Sequence, residues 1–147
     1  MFLADFLDKV IRGSEKDEPL FRFLIYSVGC LDAVEGTAAN FHIAFLVHLS
    51  QFMGFMPDTS NFQTGMFFDM EEGIFTHSTP TGGIFLNAAD SEAAAAVMRM
   101  RYENMHLYKM SREERRRCIE VIIEYYKIHM PGFPEPKSLD IFKEAFD

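Results

Sequence analysis

The sequence predicts a mainly α protein: a multi-helix bundle with a small β-hairpin inserted between the central and later helices. Three observations predict it. Apolar residues recur at helical spacing along most of the 147-residue chain, and one segment is apolar almost all round. A capping box, Ser111 to Glu114, opens a long amphipathic stretch that runs to His129. Between these, residues 58–89 lose the helical period and carry short aromatic runs separated by turn residues.

Taken in order, Phe2, Leu3, Phe6, Leu7 and Val10 recur at helical spacing with no capping residue before them. That abrupt start predicts a truncated chain, a native N-terminal helix being the alternative. Gly13-Ser14 breaks the pattern. Pro19 suits the first turn of the next helix, with Asp17 or Glu18 near its cap and Leu20, Phe21, Leu24, Val28 and Leu31 as its inward stripe. Gly36 ends it and Thr37 caps a helix over roughly 38–53, whose near-continuous apolar surface places it at the bundle centre. Gly54 and Pro57 stop that helix. Residues 66–70 and 73–76 flank Glu71-Glu72 and predict the hairpin, and residues 79–83 a loop. Asp90 or Ser91 is expected to cap an alanine-rich helix to about Met100, followed by one or two further turns over 102–108. In the long helix, Ile119, Ile122, Ile123, Tyr126 and Met130 face the core. Beyond a proline-rich connector, Ser138 caps a last helix with Leu139, Phe142, Ala145 and Phe146 inward.

Length and composition fit one domain over 1–147, with 58–89 as an insertion, and 16 phenylalanines supply a real core. No apolar run reaches transmembrane length and no secretory signal is recognisable, so no membrane partner is expected. Cys30 and Cys118 sit in apolar helical patterns and read as reduced core residues of a cytoplasmic protein. The formal charge of −8 is uneven. Residues 1–98 carry net −9, residues 99–117 net +4 and residues 118–147 net −3, and there is no Lys or Arg between Arg22 and Arg99. Nucleic acid binds mainly through cations that neutralise phosphates, so most of this surface repels it.

Few residues announce chemistry. No clustered Cys or His pattern suits zinc. Glu103 and His106 have the Glu-x-x-His spacing of di-iron bundles, but no second copy exists, so no metal or other cofactor is expected. His42 and His48 read as structural histidines. No phosphate loop, nucleophile motif or other catalytic residue stands out, and a non-enzyme is expected. The neighbouring arginines could depress the Cys118 thiol, although a buried helical cysteine is the preferred reading. What remains is the basic segment, with Arg99, Arg101, Lys109, Arg112, Arg115 and Arg116 as candidate partner-binding residues and Arg117 beside them. Arg112, Arg115 and Arg116 share one helix face. They read either as a solvated face with local ion pairs or as a docking rim for an acidic peptide or phosphates.

Several segments, in order, carry a family resemblance: Pro19 to Leu24, Ala39 to Leu46, Gly54 to Pro57, Phe68 to Phe75, Arg99 to Glu103, Tyr125 to His129 and Lys137 to Leu139. Together they resemble the C-terminal helical region of bacterial RecO, a recombination-mediator family of DNA repair. The resemblance covers nearly the whole chain and rests on order and spacing, with no single diagnostic motif. It implies a binding role, not covalent catalysis. It implies an N-terminal OB-fold domain outside this chain as the main DNA contact. It also implies two protein partners: single-stranded-DNA-binding protein, held by its acidic C-terminal tail, and RecR. Some relatives have a four-cysteine zinc module where 58–89 lies here, and residues 55–90 contain no cysteine. Direct single-stranded nucleic-acid binding through 99–117, or a small metal-binding helical protein, are the alternatives.

Overall fold

The computed structural model describes residues 18–33, 38–79 and 82–130. The helices expected at residues 2–12 and after Ser138, and the caps expected at Gly36 and Thr37, lie outside the described residues. Within them the order is α1 (Glu18–Ala33), α2 (Ala38–Met53), β1 (Phe67–Asp69), β2 (Ile74–Thr76), β3 (Phe85–Leu86), α3 (Ala88–Val97), a single 3-10 turn (Met105–Leu107) and α4 (Arg112–His129). This is the mainly α architecture with a small β insertion that the sequence predicts.

Helix α2 is buried on nearly every side, as its composition requires: Phe41, Ile43, Ala44, Phe45, Leu46, Val47 and Leu49 are all in the core. On one flank α1 contributes Leu20, Phe23 and Leu24, and on the other α4 contributes Ile119, Ile123 and Tyr126. The Phe23 and Phe45 rings stack at 5.7 Å between centroids, and Phe23 and Phe52 at 4.7 Å. Of the expected inward stripe of α1, Leu20 and Leu24 are buried but Phe21 is 46% exposed, while Phe23 and Ser27 are buried in its stead. Period counting cannot separate neighbouring aromatics when a helix packs on one side only; the angle at which α1 meets α2 decides.

A second core lies under the sheet, built from Met66, Phe68, Met70, Phe75, Leu86, Ala95 and Tyr125. The expected hairpin is present, with Phe68 opposite Phe75 in antiparallel register. A third strand, not anticipated, pairs on the other edge of β1, with Phe68 opposite Leu86, giving the order β2-β1-β3. At the hairpin turn the buried Asp69 carboxylate accepts from the Glu71 and Glu72 amides at 3.0 and 3.1 Å. Gly73 takes φ +70°, and a Cβ there would lie 2.7 Å from the Tyr125 hydroxyl, so the turn packs against α4 without room for a side chain.

The cap of α3 also differs from expectation. Asn87 caps it, its side chain accepting from the Asp90 amide at 2.8 Å, and the helix stops at Val97. Ser91 is inside the helix and fully buried. Its hydroxyl accepts from the Phe68 amide at 2.8 Å and donates to the Leu86 carbonyl at 3.1 Å, so it is inserted into the β1–β3 ladder. Ser111 does cap α4, accepting from the Glu114 amide at 3.1 Å.

The histidines of α2 are packing residues, and one has a measurable consequence. Burial lowers His42 from its ordinary 6.5 to about 4, where its ring meets that of Phe41 edge-on. The unfolded chain therefore takes up a proton near pH 6.5 that the folded chain refuses until about pH 4. The His42 contribution to stability is complete above pH 6.5, falls as pH drops, and levels off below pH 4. By pH 5 the loss should reach about 2 kcal/mol. Urea unfolding of the wild type and of His42→Gln across pH 4–7 checks this, since the difference between the two curves should carry that slope. A difference independent of pH would refute it. His48 is displaced downward as well, by burial first, but it is common to both proteins and cancels.

Candidate functional site

The basic segment begins where α3 ends, and its backbone is tied down at several points. Asn104 accepts from the Arg101 amide at 2.7 Å. The buried Asn40 side chain donates to the Met105 and Tyr108 carbonyls, both at 2.9 Å. The Tyr108 hydroxyl donates to the Ala96 carbonyl at 2.8 Å. Tyr102 stacks flat on Phe41 at 5.0 Å and its hydroxyl donates to Ser27 at 2.7 Å. The cations therefore project from a connector fixed to α1, α2 and α3, and its 3-10 turn is the shorter of the one or two helical turns expected over 102–108.

The six candidate residues do not converge on one point. Arg99, Arg101, Lys109 and Arg112 are exposed. His48 is lowered by burial first, with Glu103 opposing and Arg101 adding to the shift, so both charges lie near α2. Arg115 is half-buried and donates to the Met110 carbonyl at 3.0 Å, which makes it part of the connector's support. Arg116 pairs with Glu113 at 3.5 Å along the helix. The solvated face with local ion pairs therefore describes part of the segment.

Arg117, left out of that set of six, is the cation that meets a cavity. An apolar cavity of about 70 Å³ opens between α2, α3, α4 and the sheet. Val47, Phe68, Ala94, Met98, Val121 and Tyr125 are among its walls, and Arg117 and Asp90 are the charged residues lining it. Arg117 Nη2 lies 2.9 Å from Asp90 Oδ2, tying α4 to α3 at the cavity mouth. Cavities of roughly 150 Å³ admit a benzene ring. This one accommodates an aliphatic group or a ring edge as it stands, and more if Met70 and Met98, both lining it, change rotamer. A sequence signal for Arg117 existed: 117, 121 and 125 recur at i, i+4 and i+8, so Arg117 continues the stripe of Val121 and Tyr125 out of the core.

Other candidates are less favoured by the geometry. Cys118 lines the same cavity, but burial pushes its thiol up to about 11, with Glu114 and Asp90 reinforcing and Arg117 opposing. The expected arginine effect is thus outweighed, and the thiol stays protonated near neutral pH. Glu103 and His106 are both exposed, and no group of three or more His, Cys, Asp or Glu side chains gathers among the described residues. No described helix is long and apolar enough to cross a membrane.

With the site in view, the comparisons with known proteins are specific. The family model described as recombination protein O C terminal matches residues 1–139. The chain belongs to this family. Curated RecO relatives agree along nearly the whole chain. A protein named DNA repair protein RecO from Phocaeicola vulgatus is 42% identical over 99% of this chain. Proteins of the same name from Bacteroides fragilis and Azobacteroides pseudotrichonymphae are 42% and 39% identical over 100% of it. In each case the chain spans 61% of the relative's length. No solved structure matches at a significant level.

Proposed function

We propose that the chain is the non-catalytic docking part of a DNA-repair recombination mediator, acting as one domain. In this reading it binds the acidic C-terminal tail of single-stranded-DNA-binding protein. One observation carries the reading: an apolar cavity with, among the described residues, a single cationic residue lining it, on a protein whose only net-positive segment, 99–117, runs beside it. An acidic tail with an apolar or aromatic end suits that pairing, since the end group enters the cavity and the carboxylates meet guanidinium groups. Arg117 makes the close contact, while Arg99, Arg101, Lys109, Arg112, Arg115 and Arg116 supply the surrounding positive field. The names of the relatives, all DNA repair protein RecO, support the pathway. RecR is a second protein partner in this reading, DNA contact belongs chiefly to residues outside the chain, and the sheet stands where some relatives hold zinc.

The test is titration of the purified chain with a fluorescent tail peptide, read by anisotropy at low and moderate salt, with a single-stranded oligonucleotide in parallel. Binding should be salt-sensitive and specific to the peptide. Ala94→Leu, which pushes into the cavity, and the double charge reversal Arg112→Glu with Arg116→Glu should each weaken it several-fold. Unchanged affinity in both would move the site elsewhere. Oligonucleotide binding that survives Ala94→Leu and falls steeply with salt would favour the second reading, direct strand binding. The exposure of Arg99, Arg101 and Lys109, none ion-paired among the described residues, is what keeps that second reading open.

A further inference from the structure

Stability alone does not explain the ion pair that lines the cavity. The Arg117 side chain is 59% exposed and that of Asp90 32%. Pairs this exposed contribute little to folding. Nor is Asp90 needed to cap α3, because the Asn87 side chain does that and Asp90 supplies only its amide. Its carboxylate does sit in the first turn of α3, where a negative charge is favoured and so held in place. The pair is therefore a stable local arrangement at an opening into an apolar cavity, and it occupies the cation that the opening offers.

We propose that Asp90 is an internal competitor for the Arg117 guanidinium, which holds down the affinity of the cavity for acidic peptides and selects those with enough negative charge or apolar reach to displace it. This rests on the reading of the cavity as an acidic-peptide site. Two effects act together. Asp90 already accepts from Nη2, so an incoming carboxylate finds one arm of the guanidinium fork occupied. The Asp90 charge also lies a few ångströms from where that carboxylate must sit, and like charges at such range repel. Glu114 and Glu120 are close enough to influence Cys118 and Arg117 respectively, so the acidic surroundings extend along α4, and Arg117 is the only cation lining the cavity among the described residues. The device would keep weakly acidic chain segments out and admit a strongly acidic one.

The experiment compares four proteins by anisotropy with a short acidic peptide ending in phenylalanine: the wild type, Asp90→Asn, Asp90→Asn with Arg117→Ala, and Glu92→Gln. Glu92 is an exposed carboxylate of α3 that does not line the cavity. Asp90→Asn should bind three- to ten-fold more tightly than wild type at low salt, and the gain should shrink as salt rises. The gain should vanish in the double variant, and Glu92→Gln should change affinity less than two-fold. Peptide binding that is unchanged or weaker in Asp90→Asn would overturn the competitor role while leaving the docking reading intact. A gain that persists without Arg117, or that Glu92→Gln reproduces, would overturn it as well, because net charge would then account for the effect. Absence of binding to both wild type and Asp90→Asn would overturn the competitor role and the docking reading together. Thermal melts of all four proteins, expected to agree within a few degrees, show that each is folded when measured.

Discussion

Tyr126→Ala should destabilise the chain by about 3–5 kcal/mol in urea unfolding at neutral pH, the range for deleting a large buried ring. Tyr126 is 1% exposed and lies where the three core helices meet. Its ring receives the Phe55 ring edge-on at 5.1 Å, and its hydroxyl donates to the Leu46 carbonyl of α2. Burial holds the phenol far above its ordinary titration range, so it donates throughout accessible pH. The conservative Tyr126→Phe separates the two contributions. Leu46 lies inside α2, so its carbonyl also accepts an intrahelical bond from the amide four residues on. Removing the hydroxyl alone leaves no orphan and should lose only about 1 kcal/mol. Because Tyr126 also lines the cavity, truncation would join the new void to the existing one, which adds to the loss. A Tyr126→Ala effect below that of Tyr126→Phe would show that the ring is not a central packing element of the bundle.

What could be read from the sequence depended on how local each signal is. Helix α2, the Ser111 cap, the hairpin and the basic segment were legible because a periodicity, a hydroxyl three residues before a glutamate, a turn between aromatic runs and a charge imbalance are all local patterns. Strand β3 was not. Two residues, Phe85 and Leu86, have no period, and they become a strand only because β1 and Ser91 supply partners. The cap of α3 is ambiguous in the sequence for a related reason. Asn87, Asp90 and Ser91 all have side chains that can cap, and Ser91 is withdrawn from the competition by a bond to a strand 23 residues earlier. At the candidate site, composition picked out the basic segment but could not separate the arginine that lines the cavity from its neighbours. Arg117 differs from its neighbours only in which helix face it occupies and in what α3 places opposite it.

Ser91→Ala should be the most damaging small substitution among the described residues, at about 2–4 kcal/mol. Most serine-to-alanine changes in helices are mild or even favourable, since alanine is the better helix former. Here the hydroxyl satisfies two backbone groups at once, the Phe68 amide and the Leu86 carbonyl, in a place where Ser91 itself has no exposed surface. Each buried group left without a partner loses about 1–3 kcal/mol, and water has no route to replace the serine if the helix stays packed. Phe68 and Leu86 are ladder partners, yet this amide and this carbonyl are joined through the Ser91 hydroxyl. Equilibrium unfolding of Ser91→Ala and Ser91→Thr tests the argument. Threonine keeps the hydroxyl and adds a methyl to a tight site, so it should recover part of the loss. Hydrogen exchange at the Phe68 amide adds a readout that simple helix destabilisation would not move selectively: it should accelerate in the alanine variant while amides of α2 stay protected relative to global stability. Near-neutral stability of Ser91→Ala with unchanged Phe68 exchange would mean that the two strands pair without the serine, and that the β1–β3 ladder is not built around α3.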